Sequence, residues 1–297
     1  MTSKTTSGYA VITGVRTYQP IKHPFFPSPT PPALHSHPLQ AGGSIGKNTC
    51  ISFAESGASG ILLADLSLSS AQTAAQKCKS YASNPACRIL SIHLDVTDEE
   101  SVQKMVDTAI QEFGRIDYYV HSADRHQHTL PLSEFDHILN TNTRSTLLCN
   151  RAIARAMLLQ EPVSHQGRYT ERSLGRGCIV NLGSANSVVA FPGKTAYTTA
   201  KHAVVGITKS GTVDYAPRGI RINAICPTWV AGPMNTHEAA RNPHFEHMVQ
   251  AVVPLKRVAQ PDEVADAIHF LCSPAATYIT GATLIIDAGS GLTVRLF

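Results

Sequence analysis

The sequence has few charged residues and no concentration of charge of one sign. Asp, Glu, Lys and Arg make up 15% of its 297 residues, the net charge is +4, and no block of Lys and Arg stands out. A nucleic-acid-binding surface is normally marked by such a block, so we expect no nucleic-acid partner. No run of about eighteen apolar residues occurs, and no apolar signal-peptide core precedes the first predicted strand. We therefore expect no membrane contact and a cytoplasmic location.

Metal-binding and disulfide patterns are also missing. The seven cysteines are scattered without a C-x-x-C pair, and the fourteen histidines show no H-E-x-x-H or Cys/His spacing. A structural zinc site needs such spacing, and a disulfide framework normally uses an even number of cysteines. The sequence therefore predicts reduced thiols and no metal site.

Short apolar runs alternate with helical patterns along the chain. Strands that are continuously apolar are typical of a parallel sheet buried on both faces. The sequence thus predicts a single α/β domain over residues 1–297, a Rossmann fold with a doubly wound parallel sheet of about seven strands. The polar residues 160–176 predict a surface loop. The predicted strands are residues 9–13, 60–64, 88–94, 118–121, 178–181, 221–225 and 283–287, and the predicted helices are residues 71–81, 99–113, 135–159, 197–215 and 261–272.

One segment departs from this alternation. Residues 15–40 carry seven prolines and show neither a helical nor a strand period, which predicts an irregular or polyproline-like insertion. Without it, the chain reads YAVITG-AGGSIGKNTC, an uninterrupted strand, glycine turn and helix. Two explanations stand. The segment is an inserted loop, which is unusual at such a turn, or it is a retained intron. Its first codons can form a donor-like GTACGT, and its last codon an acceptor-like CAG.

Tyr197 and Lys201, in the run YTTAK, form a candidate proton-transfer pair. On a helix, side chains four residues apart lie on one face, one turn from each other. The lysine ammonium favours the phenolate, so we expect it to lower the pKa of Tyr197 and make it an acid and base. Ser184 lies thirteen residues earlier, at a predicted strand end, where its hydroxyl could hold a carbonyl or alcohol oxygen. The alternative is a surface helix with a solvated lysine.

With these residues assembled, the chain resembles the short-chain dehydrogenase/reductase family. The family's first turn reads T-G-x-x-x-G-x-G, and here Thr13-Gly14 and the run AGGSIG match it once residues 15–40 are removed. Glycines at such a turn let the backbone approach a pyrophosphate on the helix N-terminus. Serine replaces the middle family glycine. The cofactor-binding residues implied at this turn are Gly14, Gly43, Ser44, Ile45 and Gly46.

The resemblance places further cofactor contacts at the ends of the second and third strands. A carboxylate at Asp65 accepts bonds from adenosine ribose hydroxyls and repels a 2′-phosphate, so NAD is favoured over NADP. The alternative role of Asp65 is a helix cap. Asp95 and Val96 match the family's adenine-contacting pair, although Asp95 could equally be only a turn residue.

Two other family motifs are altered in this chain. The family's N-N-A-G after the fourth strand is His-Ser-Ala-Asp here, so only Ala123 matches as a cofactor contact. The segment that closes over nicotinamide usually begins Pro-Gly, and here it begins Pro227-Thr228. Pro227 and Val230 are the expected nicotinamide-side contacts.

The resemblance also implies hydride transfer between nicotinamide and a secondary alcohol or ketone. In that reaction Tyr197 gives or takes the oxygen's proton, and Ser184 orients the substrate oxygen. Lys201 lowers the pKa of Tyr197 and holds the nicotinamide ribose. Asn142 falls where the family keeps its fourth catalytic residue, which orders a water that relays protons; its alternative role is a hydrogen-bonded mid-helix amide.

The substrate is less well specified. The pocket is expected between residues 186–194, the Trp229 region and residues 234–253. Residues 188–191 are apolar, which favours a hydrophobic metabolite such as a terpenoid, steroid or polyketide, unless they simply pack in the core. A short retained intron would indicate a fungal gene, and hence secondary-metabolite biosynthesis.

The resemblance leaves assembly and rival functions open. We expect a homodimer or homotetramer formed through the helices at residues 135–159 and 197–215. Two other functions use the same fold: a catalytically silent nucleotide-binding scaffold, and a lyase or isomerase that uses Tyr197 purely as a base.

Sequencing the transcript tests the retained-intron explanation. We expect the mature message to lack the codons of residues 15–40 and to join the codon of Gly14 to that of Ala41. A message that contains those codons would make the segment part of the expressed protein.

Overall fold

The computed structural model describes residues 8–13, 44–121, 132–191, 194–232 and 244–292. The insertion at residues 15–40 and the predicted cofactor residues Gly14, Gly43 and Ala123 lie outside these ranges, as does the side chain of Ser44. Within them, no helix has both the length and the apolar character that a membrane span requires.

Among the described residues, seven strands form one sheet in which every pairing is parallel. In chain order the strands are β1 (Tyr9–Thr13), β2 (Gly60–Asp65), β3 (Arg88–His93), β4 (Tyr118–His121), β5 (Val163–Gln166), β6 (Glu171–Gly175), β7 (Gly177–Leu182), β8 (Ile220–Pro227) and β9 (Thr283–Ile286). The sheet order is β3-β2-β1-β4-β7-β8-β9, so its direction of growth reverses between β1 and β4. This is the doubly wound Rossmann sheet that the sequence predicts.

Helices pack against this sheet and produce two separate apolar cores. In chain order the helices are α1 (Ser44–Glu55), α2 (Leu68–Lys79), α3 (Glu99–Phe113), α4 (Leu132–Leu139), α5 (Ser145–Leu158), α6 (Thr195–Tyr215), α7 (Phe245–Val252) and α8 (Pro261–Cys272). One core contains residues of α1, α2 and α8, and the other contains residues of α3 and α5. In β1, Ala10 and Ile12 face the first core and Val11 faces the second, because strand side chains alternate. Burial on both faces explains the continuous apolar runs.

Most predicted elements are found, and the bounds of the predicted strands differ from the observed ones by at most two residues. The helix predicted at residues 135–159 is instead three pieces, because a π turn (Asn140–Arg144) separates α4 from α5. A π turn adds one residue to a helical turn and leaves the apolar pattern of the helix on either side unchanged. The hydrophobic periodicity of the sequence therefore does not show where the π turn lies.

The loop predicted at residues 160–176 is wrong, because this segment forms an antiparallel hairpin. Residues of β5 pair with β6 in the register Ser164↔Ser173 and Gln166↔Glu171. Both strands are largely exposed, so neither has the apolar face by which a strand is recognised in sequence. Helix α7 was also missed, within the segment assigned to the substrate pocket.

Gly183 joins β7 to Ser184 and leaves no room for a side chain. A Cβ there would collide with Cys226 Sγ and lie 3.0 Å from Ser187 Oγ. We expect Gly183→Ala to lower the free energy of unfolding by about 1–3 kcal/mol through overpacking. The control is Gly206→Ala in α6, where no atom lies within 4 Å of the new Cβ. That change should raise the free energy of unfolding by about 0.5–1 kcal/mol. Urea denaturation measures both, and equal stability of the two variants would contradict the packing described.

Candidate active site

The carboxyl ends of the parallel strands meet at one edge of the sheet, and most of the predicted site residues lie there. Ser184 follows β7 and caps a single turn of 3-10 helix, Ala185–Ser187. Its Oγ accepts a hydrogen bond from Asn186 N at 3.2 Å, while its own N–H donates to Ser187 Oγ at 3.2 Å. These two bonds fix both the backbone and the hydroxyl of Ser184 at the edge of the sheet.

Tyr197 and Lys201 lie in the first two turns of α6, and both are buried. Lys201 is 1% exposed, and its Nζ lies 5.4 Å from the centre of the Tyr197 ring. The same Nζ donates to Leu182 O, at the end of β7, at 3.0 Å. The alternative of a solvated surface lysine is therefore wrong, since this ammonium is held between a helix and a strand end.

Two further hydrogen bonds hold the turn after β7 against α6. Asn186 Nδ2 donates to Thr198 Oγ1 at 3.1 Å. Ser187 Oγ donates to Lys201 O at 2.8 Å. Because these bonds join the two segments on either side of the site, the positions of Ser184 and Tyr197 are fixed relative to each other.

Asn142 lies in the π turn and is 1% exposed. Its Nδ2 donates to Ile138 O at 3.0 Å, as the mid-helix-amide alternative requires. Its Oδ1, however, is buried and accepts no hydrogen bond from any described residue. Thr143 Oγ1, the next residue, donates to Ala200 O at 3.4 Å and so ties the π turn to α6 beside Lys201. A buried acceptor without a partner indicates a place for a polar ligand atom.

The two predicted adenosine-side carboxylates both shape local turns. Asp65 is buried at the end of β2, and its Oδ1 accepts a bond from Ser67 N at 2.8 Å, just before α2. Asp95 follows β3, and its Oδ1 accepts bonds from Thr97 N at 2.9 Å and Thr97 Oγ1 at 2.7 Å. Both carboxylates therefore hold turns, and the cap of α2 is Ser67, not Asp65. A carboxylate has two oxygens with several acceptor positions, so these roles are compatible with ligand binding.

The other predicted cofactor residues within the described ranges also lie at this edge. Ile45 and Gly46 are in the first turn of α1, where the N–H groups have no partner within the helix. Val96 follows Asp95 and packs against the second core. Pro227 ends β8, and Val230 forms a parallel bridge with Ala259.

An aromatic cluster, not predicted as such, joins the three segments assigned to the substrate pocket. The ring of Trp229 lies 5.9 Å from that of Phe191 and 6.2 Å from that of Phe245, measured between ring centres. Phe191 follows the turn of Ser184, Trp229 follows β8, and Phe245 begins α7. Residues 192–193 and 233–243 of these segments lie outside the described residues. Trp229 is the single tryptophan of the sequence. Its place shortly after the predicted sixth parallel strand was the signal that could have located this cluster.

A groove of about 670 Å³ opens beside edge strand β3. It is lined by Asp95 and by the first turns of α3, and by none of the four candidate catalytic side chains. Groups of three or more His, Cys, Asp or Glu side chains that could hold a metal ion are not found in the described part of the chain.

The side chains gathered at this edge fit a dinucleotide. A buried carboxylate at Asp65 suits ribose hydroxyls, the first turn of α1 suits phosphate oxygens, and the Lys201 ammonium suits a second ribose. Beside them lie a buried phenol and a serine hydroxyl. A doubly wound sheet with this set at its carboxyl edge defines the class of nicotinamide-dependent oxidoreductases.

Comparisons with known proteins agree with that class. The model of the family described as Enoyl-(Acyl carrier protein) reductase matches residues 41–291. The chain is 41% identical over 261 residues to the short-chain dehydrogenase anuF of Penicillium roqueforti (strain FM164), which covers 86% of this chain and 95% of that protein. It is 38% identical over 225 residues to the 2-(R)-hydroxypropyl-CoM dehydrogenase of Xanthobacter autotrophicus (strain ATCC BAA-1158 / Py2), covering 73% and 84% respectively. The crystal structure of Levodione Reductase has a TM-score of 0.75 at 28% identity, over 84% of this chain and 94% of that one.

The chain therefore belongs to the short-chain dehydrogenase/reductase family. It is an oxidoreductase acting on alcohols or ketones with a nicotinamide cofactor, NAD or NADP. The family binds small-molecule substrates and often forms oligomers. The family model begins at Ala41, the first residue after the proline-rich segment.

Proposed function

We propose that this enzyme is NAD-dependent and interconverts a hydrophobic secondary alcohol and its ketone, with Tyr197 as the acid and base. The observation that carries this proposal is the burial of Lys201 beside the Tyr197 ring. A positive charge that is shielded from water favours the phenolate more strongly than a solvated one would, because the low-dielectric surroundings strengthen the attraction. Tyr197 can then give a proton to a ketone oxygen or take it from an alcohol.

Ser184 has the geometry to hold the substrate oxygen. Because its Oγ accepts a bond from Asn186 N, its own hydrogen is directed towards an acceptor. The acceptor in reach is Asn186 Oδ1 at 3.5 Å, which is long for a hydroxyl donor. A substrate oxygen can replace this weak contact with a stronger bond and would then lie where Tyr197 transfers the proton.

When bound, nicotinamide supplies or accepts the hydride, which is chemistry that no side chain provides. We assign Lys201 to the nicotinamide ribose, because an ammonium has three donors and one of them is directed to Leu182 O. Asn142 Oδ1 is the buried acceptor that we assign to the proton-relaying water. The carboxylate of Asp65, followed by Leu-Ser-Leu without an arginine, favours NAD over NADP.

The apolar character of the pocket segments supports a hydrophobic substrate, such as a terpenoid, steroid or polyketide. Val188, four residues after Ser184, is 46% exposed, so it is not simply core. Trp229 and Phe191 add an apolar surface between the turn of Ser184 and the segment after β8. The fungal origin of the Penicillium relative is compatible with a role in fungal secondary metabolism.

We also propose a single-domain cytoplasmic protein that forms a homodimer or homotetramer. All seven cysteines are unpaired, which is typical of a reducing compartment. Leu147 on α5 is 54% exposed and Val213 on α6 is 76% exposed, so each of the helices expected at the interface presents an apolar side chain to solvent. Burial of such side chains against a second copy would be favourable.

Replacement of the phenol tests the proton-transfer role. We expect Tyr197→Phe to lower kcat/KM for a hydrophobic ketone by about 10²- to 10⁴-fold, the usual contribution of a positioned acid or base, with nearly unchanged NADH affinity. The absorbance of NADH measures turnover, and its fluorescence measures binding. Tyr215→Phe, at the far end of the same helix, is the control and should behave as the parent.

Two results would contradict the assignment. Near-parent turnover in Tyr197→Phe would exclude Tyr197 as the acid and base. Substrate conversion by the parent without any net change in nicotinamide oxidation state would favour the lyase or isomerase.

Neutralisation of Asp65 tests the cofactor preference. Asp65→Asn keeps an oxygen that can accept from Ser67 N and removes the charge that repels a 2′-phosphate. We expect the ratio of the Kd for NADPH to the Kd for NADH to fall by about tenfold, which corresponds to about 1.4 kcal/mol. Asp98→Asn is the matched control, because Asp98 Oδ1 likewise accepts from the N–H two residues later, Glu100 N, and Asp98 is exposed. An unchanged ratio in Asp65→Asn would refute the role of this carboxylate.

A further inference from the structure

His121 ends β4 where the family motif has asparagine, and it is 2% exposed. Its ring nitrogens have polar partners on three different elements. Nδ1 lies 2.9 Å from the Tyr119 hydroxyl and 3.5 Å from Thr13 Oγ1. Nε2 lies 3.3 Å from Ser145 Oγ, at the start of α5. Hydrogen-bond partners at both ring nitrogens fix the orientation of the imidazole, which a side chain that only fills space in the core does not need.

The partners determine which nitrogen carries the proton. Ser145 Oγ has one hydrogen and donates it to Thr141 O, so towards His121 it can only accept. Nε2 must therefore carry a proton and donate to Ser145. In the neutral ring, Nδ1 is then an acceptor, and the Tyr119 hydroxyl donates to it. This arrangement satisfies both nitrogens in one tautomer.

Ser145 connects this histidine to the π turn. The bond from Ser145 Oγ to Thr141 O spans the turn that carries Asn142, with Thr141 on one side and Ser145 on the other. Thr146 Oγ1 donates to Asn142 O at 2.6 Å, and Thr143 Oγ1 donates to Ala200 O on α6. The position of Asn142 relative to α6 therefore depends on how the turn is held.

We propose that His121 is a positioning residue: through its Nε2–H bond to Ser145, it holds the π turn in the shape that sets the position of Asn142 against α6. From one Cα, the imidazole reaches both the Tyr119 hydroxyl and Ser145 Oγ. This inference rests on the role proposed above for Asn142.

Two substitutions separate the two ring nitrogens. His121→Gln places an amide N–H near the position of Nε2 and should keep the bond to Ser145. His121→Asn keeps only an acceptor near the position of Nδ1. We expect kcat to fall about 10-fold or more in His121→Asn, since a misplacement of about 1 Å has large effects on catalysis, and to stay close to the parent in His121→Gln. The KM for NADH should change little in both.

A serine pair provides the matched control. Ser145→Ala should reproduce the loss of kcat seen in His121→Asn. Ser56→Ala removes an equivalent bond, in which a buried serine donates to the carbonyl four residues earlier, Ser52 O, at 2.6 Å, without a histidine beside it. We expect Ser56→Ala to lower stability like Ser145→Ala and to leave kcat unchanged. Equal kcat in the two alanine variants would overturn the proposal.

Hydrogen exchange supplies a measurement that needs no substrate. In His121→Asn, we expect the amides of the π turn (Asn140–Arg144) to lose about 10-fold in protection, while those of α3 keep the parent's protection. In His121→Gln, both segments should match the parent. Uniform loss across both segments would mean that His121 only stabilises the fold, and retained protection and kcat in His121→Asn would also refute its positioning role. Should the parent reduce no ketone, the proposed function fails, whereas the exchange pattern still tests His121.

Discussion

The burial of one ammonium group governs the arrangement of the whole site. Lys201 is almost completely removed from water, and a buried charge is costly unless polar partners surround it. It donates to Leu182 O at the end of β7 and lies over the face of the Tyr197 ring, which attracts a cation. These two contacts hold α6, the end of β7 and the Tyr197 ring together. The geometry on which proton transfer depends therefore follows from the need of the buried ammonium for polar partners.

The segments next to Lys201 also contribute to its surroundings. The turn after β7 can lie against α6 because Gly183 has no side chain to meet Cys226 on β8. Burial raises the pKa of the Cys226 thiol, so this residue stays neutral and packs as a small apolar group near Lys201 instead of forming an ion pair with it. The ammonium therefore remains available to Tyr197 and to a cofactor ribose. On its other side, the π turn presents Asn142 through bonds that end on His121 and on α6.

Elements with their own local signals were predictable from the sequence, and those that depend on tertiary contacts were not. The predicted bounds of α3 match the observed ones, and the helix has local signals at both ends: Asp98 caps its start, and Gly114 adopts a left-handed conformation at its end. The spacing of Tyr197 and Lys201 placed both on one face of α6, but their burial follows from the strand packed beside them. The π turn, the exposed hairpin of β5 and β6, and the aromatic contacts of Trp229 have no periodic apolar signature. They are set by packing between distant segments.

The most direct test of the account is energy transfer from the single tryptophan to bound NADH. Trp229 follows Pro227, at the edge of the sheet where the nicotinamide is proposed to bind. On selective excitation of tryptophan, we predict sensitised NADH emission that saturates with cofactor concentration, in the full chain and in a variant without residues 15–40. Replacement of Trp229 by Phe should abolish this signal while NADH still binds. Saturating NADH binding without sensitised emission in the parent would place the cofactor elsewhere and contradict the site described.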